Sequence, residues 1–268
     1  MDVLTAALMG LIQGITEWLP VSSTGHLLFA QKLVGIHPEE MIFFNLVLHA
    51  ATLLSVSFFL RNDLKRIVPS MFRRKEGMGA DEFGARRIGW FALLATVPIA
   101  IAGIIESLFL KELFSSPAPT AVALLITGVM LWVAENPGLR KERKDLRLKD
   151  AAIIGCFQAI SVVPGISRSG TTISAGCYLG FKRDFVATFS FMLSIPAIIL
   201  AFSYGVLFLG QHPVDGGSIA IGAAIAAITG VLALKWLFGQ IQRFRLRWFA
   251  AYCWVVGAAT LLLLAIFG

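Results

Sequence analysis

A chain of 268 residues that is 57% hydrophobic and only 15% charged is not an ordinary water-soluble domain, in which charged residues make up about a quarter. Its net charge of +7 does not indicate nucleic acid, because the basic residues gather in short segments between apolar runs rather than over an aromatic-studded surface. The composition is that of an integral membrane protein, and the length of its apolar runs favours spanning helices over the shorter, alternating strands of a membrane barrel.

The first apolar run, residues 3–36, is broken at Pro20. It follows Met-Asp-Val-Leu, which lacks a basic leader, and is interrupted by Glu17, so a cleaved signal peptide is not expected. Full spans are predicted at 41–60, 88–110, 184–209, 218–237 and 248–267, with a shorter one at 120–134 that borrows from its flanks. Basic clusters at 61–87, 140–149, 182–183 and 243–247 read as cytoplasmic by the positive-inside rule and bring some affinity for anionic lipid. The outer connections 37–40, 111–119 and 210–217 are short loops, and 76–82 reads as a flexible tip.

The stretch 150–181 begins beside one basic cluster and ends beside another, with Pro164-Gly165 in its middle. It is expected to dip into the bilayer and return as a re-entrant helical hairpin. Residues 3–36 are read the same way, entering from outside. Three full spans separate the two hairpins, so their orientations are opposite. The expected architecture is an all-α integral membrane protein with an inverted-topology repeat: six transmembrane helices plus two re-entrant hairpins meeting near the midplane. The chain is expected to form one polytopic domain over 1–268, with repeat 1 at 1–135, repeat 2 at 150–268, a basic cytoplasmic linker at 136–149 and both termini outside.

The two hairpins also align without a gap. At one constant offset Gly10 falls on Gly155, Gln13 on Gln158, Thr16 on Ser161, Ser22 on Ser167, Thr24 on Ser169, Gly25 on Gly170, Ala30 on Ala175 and Gly35 on Gly180. Cys156, Cys177 and Cys253 are scattered singly, without metal-site or disulfide spacing, and are expected to be small core residues.

Gln13 and Glu17 lie four apart, on one helical face that points toward the turn after Pro20. A carboxylate at this depth either solvates at the interface or faces a polar cavity as a metal ligand or acid/base. Ser22, Ser23 and Thr24, with Gly25 and His26, exceed what helix capping needs, and a hydroxyl beside a base is the material of nucleophilic catalysis. His26 could equally be a core imidazole.

The second turn, Pro164 through Ser167, Arg168, Ser169, Gly170, Thr171 and Thr172, combines exposed N–H groups at a helix start with a guanidinium, an anion site by charge and geometry. Arg168 needs a counter-ion, either Glu17 or a phosphorylated substrate; a purely structural Arg168–Glu17 pair is the bland alternative. His49 and Glu106 are read as structural and interfacial and are not placed at the site.

Gln13-Gly-Ile-Thr-Glu17-Trp-Leu-Pro20-Val-Ser22-Ser23-Thr24-Gly25-His26 and Pro164-Gly165-Ile166-Ser167-Arg168-Ser169-Gly170-Thr171 resemble the two signatures of the bacterial undecaprenyl pyrophosphate phosphatases of the bacitracin-resistance type. The resemblance extends in span order over the whole chain. It implies hydrolysis of undecaprenyl pyrophosphate to undecaprenyl phosphate and inorganic phosphate at the outer face of the cytoplasmic membrane, with a divalent cation, Mg²⁺ or Ca²⁺. By position it makes Ser23 the nucleophile, Glu17 a catalytic acid or metal ligand, His26 the acid/base partner and Arg168 the pyrophosphate anchor. Ser22, Thr24, Gly25, Ser167, Ser169, Gly170 and Thr171 would line the substrate. Gln13 stands where many members have Glu, which leaves Glu17 as the evident charged ligand and makes a hard cation lean on substrate phosphates and water.

The expected partners are a polyprenyl pyrophosphate and membrane lipid, with no nucleic acid; both monomer and homodimer stay open. Inverted repeats with broken helices also build secondary transporters, so a lipid-phosphate transporter or flippase remains the alternative function.

Overall fold

The computed structural model describes residues 1–74, 77–109, 116–136, 138, 141–208, 214–240 and 245–267. Among them the chain forms α1 (Val3–Thr16), α2 (Ser23–Leu33), a short 3₁₀ turn (Pro38–Met41), α3 (Ile42–Phe59), α4 (Arg61–Phe72), α5 (Ala80–Phe109) and α6 (Pro117–Ala134). It continues with α7 (Leu148–Ile160), α8 (Arg168–Tyr178), α9 (Arg183–Phe208), α10 (Gly216–Gln240) and α11 (Leu246–Phe267). Six of these, α3, α5, α6, α9, α10 and α11, are long and apolar enough to cross a bilayer, as the hydropathy of the sequence predicts. The basic residues Lys75, Arg140 and Arg243, the loop residues 111–115 and 210–213, and the expected span ends 110 and 209 lie outside the described residues.

Three local expectations change. Residues 80–82 of the expected tip are helical, because α5 begins at Ala80 with Asp81 and Glu82 in its first turn. Acidic side chains favour that helix end, and Arg73 holds Glu82 at 2.6 Å. The basic stretch after α3 forms a helix, α4, whose Ile67 and Met71 are buried, with Met71 against Gly89 of α5. Its apolar residues are one turn apart but diluted by Arg and Lys, so hydropathy alone hides them. Cys156 is exposed rather than core: α7 presents that side of its apolar surface outward.

The short helices pair into hairpins. Arg143, ahead of α7, reaches Asp150 in its first turn at 2.9 Å and the Leu179 carbonyl just beyond α8 at 3.0 Å, so the start of α7 lies beside the end of α8. The same contacts pin the basic linker, where Arg143 N–H bonds the Gly180 carbonyl and Lys182 N–H the Arg143 carbonyl.

Packing exchanges elements between the halves: α1 lies along α10, and α7 along α5. Lipid tails are as apolar as leucine, so such contacts depend on close van der Waals approach over small residues. Gly10 and Gly155, partners in the sequence alignment, sit at the two crossings. A Cβ on Gly10 would lie 2.3 Å from the Gly222 carbonyl oxygen, and one on Gly155 2.6 Å from that of Ala95.

Candidate active site between two hairpin tips

Each hairpin turns where its apolar helix stops, and the two turns meet. α1 ends at Thr16, with Glu17 as its C-cap residue. Trp18, completely buried, packs edge-on against Phe191 of α9 with ring centroids 5.5 Å apart and fixes the turn that follows. Ser22 then caps α2 by accepting from Gly25 N–H, while in the second hairpin Ser167 caps α8 by accepting from Gly170 N–H at 3.0 Å. Thr127 of α6 clamps this second turn: its hydroxyl donates to the Gly165 carbonyl at 3.0 Å and accepts from Ser167 N–H at 3.1 Å. Gly165 adopts φ +95, and a Cβ there would fall 2.1 Å from the Thr120 carbonyl oxygen. Ser169 ties the tips together by donating to the Leu19 carbonyl at 3.1 Å.

Glu17 is the hub of the contact. Its Oε2 accepts from Gln13 Nε2 at 2.9 Å and from Ser23 Oγ at 2.6 Å. Its Oε1 accepts from Arg168 Nη2. The Glu17 side chain is 4% exposed and that of Arg168 17%, so each charge depends on the other. Their helices do not help: a carboxylate at the C-terminal end of α1 and a guanidinium on the first residue of α8 both sit at the unfavourable end of a helix dipole. The same placement brings the N-termini of α2 and α8 to one spot, where N–H groups and dipoles favour an incoming anion. Arg168 Nη1 is buried with no hydrogen-bond partner, a donor left over from the pair with Glu17.

The remaining expected residues divide. Ser22 Oγ and Thr24 Oγ1 lie 3.2 Å apart, as do Ser167 Oγ and Ser169 Oγ. Gly25 closes on Gly165, and its Cβ would stand 3.4 Å from the Gly165 Cα. Thr171 turns its hydroxyl back onto the Arg168 carbonyl at 2.8 Å. His26 is directed away from Glu17: its Nδ1 meets the Ser22 carbonyl and its Nε2 the Tyr252 hydroxyl of α11, each at 2.8 Å.

His49, set aside in the sequence reading, belongs to the cluster. Its Nε2 lies 3.4 Å from Glu17 Oε2, with Nδ1 tied to the Asn45 carbonyl at 2.8 Å. No local signal marks it, since one imidazole in an apolar span has the same pattern whether it is structural or not. Glu106 is half-buried in α5.

Among the described residues no three His, Cys, Asp or Glu side chains gather to hold a metal ion. The site instead offers hard oxygen donors. Gln13 is fully buried; its amide nitrogen serves Glu17 while its Oε1 has no partner, an orphaned carbonyl beside a carboxylate. Mg²⁺ and Ca²⁺ accept such donors and complete their shells with water and phosphate, so the chemistry of these two side chains fits a hard divalent cation.

Together these features define a polytopic helical membrane protein with a buried carboxylate, hydroxyl and guanidinium gathered where two hairpins touch. The chain belongs to the bacitracin resistance protein BacA family, whose model matches residues 6–259. It is similar to the undecaprenyl-diphosphatase of Methanobrevibacter smithii, 38% identical over 275 residues and covering 96% of each chain. It is likewise similar to that of Teredinibacter turnerae, 37% identical with 96% and 97% covered, and to that of Korarchaeum cryptofilum, 36% identical with 98% and 100% covered.

Proposed function

We infer that the protein is an undecaprenyl-diphosphatase, cleaving the terminal phosphate from undecaprenyl pyrophosphate and so returning the carrier lipid as its monophosphate. The observation that carries this reading is the convergence of Ser23 Oγ and Arg168 Nη2 on the two oxygens of one buried carboxylate, Glu17. The prenyl tail stays in lipid, and only the diphosphate enters between the tips. Phosphoryl transfer asks mainly for positioning and neutralised charge, which Arg168 and the N-termini of α2 and α8 supply.

In the first step Glu17 takes the Ser23 proton, Ser23 Oγ bonds the terminal phosphorus, and the bridging P–O bond breaks to release undecaprenyl phosphate. In the second, water bonds the same phosphorus and gives its proton to His26, which passes it on to solvent, and the Ser23 Oγ–P bond breaks to free inorganic phosphate. Ser23 then recovers its proton from Glu17. A divalent cation held by Glu17 and Gln13 Oε1 would supply further neutralisation of phosphate charge.

The basic segments support an orientation with both hairpin tips inside the bilayer, both termini outside and the site opening to the outer face of the cytoplasmic membrane. Purified protein in detergent with Mg²⁺ or Ca²⁺ is expected to release phosphate from a polyprenyl pyrophosphate, and Ser23→Ala to abolish the release. Transfer of labelled lipid between liposome leaflets without phosphate release would instead identify a transporter.

A further inference from the structure

We propose that the divalent cation replaces Arg168 as the counter-ion of Glu17 when the diphosphate draws Arg168 away, so that cation and diphosphate bind in concert and each only weakly alone. The choice of ligands rests on the phosphatase reading; the exchange of counter-ions does not depend on turnover.

A cation that arrives alone finds Glu17 already taken. An ionised carboxylate offers about four lone-pair positions. The two on Oε2 accept from Gln13 Nε2 at 2.9 Å and Ser23 Oγ at 2.6 Å, and Oε1 accepts from Arg168 Nη2. The surroundings are positive as well: Arg168 carries a full charge, and the N-termini of α2 and α8 add about half a charge each. To reach Oε1 the cation must displace the guanidinium, which is then left unpaired in that field.

A diphosphate that arrives alone meets the complementary difficulty. Arg168 bonds Glu17 through Nη2 while its Nη1 lies buried without a partner. Two phosphate oxygens match the planar fork better than one carboxylate oxygen does. Arg168 is also the more exposed member of the pair, so it is the one an incoming anion meets. Once it turns to the diphosphate, Glu17 becomes a buried charge without an opposite charge, which is strongly unfavourable. His49 does not fill the gap, because its Nε2 stands beside Oε2, at 3.4 Å, and not beside the released Oε1.

A cation on Oε1 restores the balance. Gln13 supplies a second, neutral oxygen donor next to the carboxylate, and its direction is settled: a carboxylate only accepts, so the Gln13 amide must turn its NH₂ to Glu17 and keep Oε1 in reserve. That oxygen is buried and unpartnered. Mg²⁺ and Ca²⁺ take such donors together with phosphate and water. Oε2 keeps its bond from Ser23 throughout, so the proton acceptor of the first step is retained. Each ligand alone breaks the Glu17–Arg168 pair, and the two together replace it on both sides; coupling of this kind is reciprocal.

Equilibrium dialysis of the protein in detergent against Mn²⁺, with and without non-hydrolysable methylenediphosphonate, tests the exchange. Wild-type protein is expected to bind Mn²⁺ about 10²-fold more tightly with the diphosphonate present, the low end of what one unpaired buried charge costs. The diphosphonate should tighten by the same factor when Mn²⁺ is added. Arg168→Gln is expected to bind Mn²⁺ with no diphosphonate, since Oε1 is then open. Glu17→Gln should lose the enhancement, which separates a cation held by the protein from one held by the diphosphonate alone. Equal Mn²⁺ affinity in the wild type under both conditions, or no Mn²⁺ bound under either, would overturn the proposal. So would an enhancement that survives Glu17→Gln, or a folded Arg168→Gln that still needs the diphosphonate. If Arg168→Gln does not fold, the wild-type and Glu17→Gln data decide. Absence of phosphate release from the wild-type protein, with the enhancement intact, would sink the phosphatase reading and leave the exchange standing.

Discussion

The two hairpin tips are alike in scaffold and unlike in chemistry. Ser22 and Ser167 both cap a helix through the glycine three residues on, and each turn pairs the cap with a second hydroxyl. The positions between differ: Ser23 in the first tip corresponds to Arg168 in the second, and Glu17 to Val162. Aligned positions thus deliver a hydroxyl and a guanidinium to the same carboxylate from opposite sides. The backbones differ too. The second turn bends at Gly165, whereas the first bends at Ser22, which holds φ 66 without being glycine. Local strain of this sort costs on the order of 1–3 kcal/mol and collects at functional sites. A pair of similar folds therefore supplies two complementary halves of one site.

The largest expected effect comes from removing the group both tips share. Glu17→Gln should lower phosphate release by about 10²–10⁴-fold, the range for a lost general base. Glu17→Ala should in addition destabilise the fold by about 3–5 kcal/mol, because Arg168 is left buried without its counter-charge; thermal unfolding in detergent measures this. Next in size is Arg168→Lys, which keeps the charge and loses the planar fork. Steady-state kinetics should give about 10²-fold lower activity.

His49→Gln tests whether the imidazole that sequence reading passed over belongs to the cluster. Removing one partner of Glu17 Oε2 should lower kcat about tenfold, and unchanged kinetics would return His49 to a structural role. The smallest effect separates the two caps. Ser22→Gly loses a cap but relieves the positive φ, so the unfolding temperature should hardly move, while Ser167→Gly, at an ordinary φ of −77, only loses.

Much of this arrangement is legible in the sequence. Six apolar runs become six long helices, because hydropathy over some 20 residues is a strong signal. The gapless alignment marks both turns, and a lone Arg168 in apolar surroundings calls for a counter-ion, for which Glu17 is one of the two candidates the sequence offers. What escapes is either amphipathic or non-local. The apolar side of α4 is hidden among its arginines, and the start of α5 is set by Asp81 and Glu82 rather than by hydropathy. The contact of His49 with Glu17 and that of His26 with Tyr252 depend on how separate helices pack, and no spacing along the chain encodes either. Nor does it say that His26 faces Tyr252 and not Glu17.

Whether the two tips form one working site is tested most directly by phosphate release from Ser23→Ala, Arg168→Ala and the double variant. Groups that act as a unit are strongly non-additive. If the hydroxyl and the guanidinium grip one diphosphate around Glu17, the double variant loses no more activity than the worse single variant. Losses that multiply would mean that the serine and the arginine serve separate events.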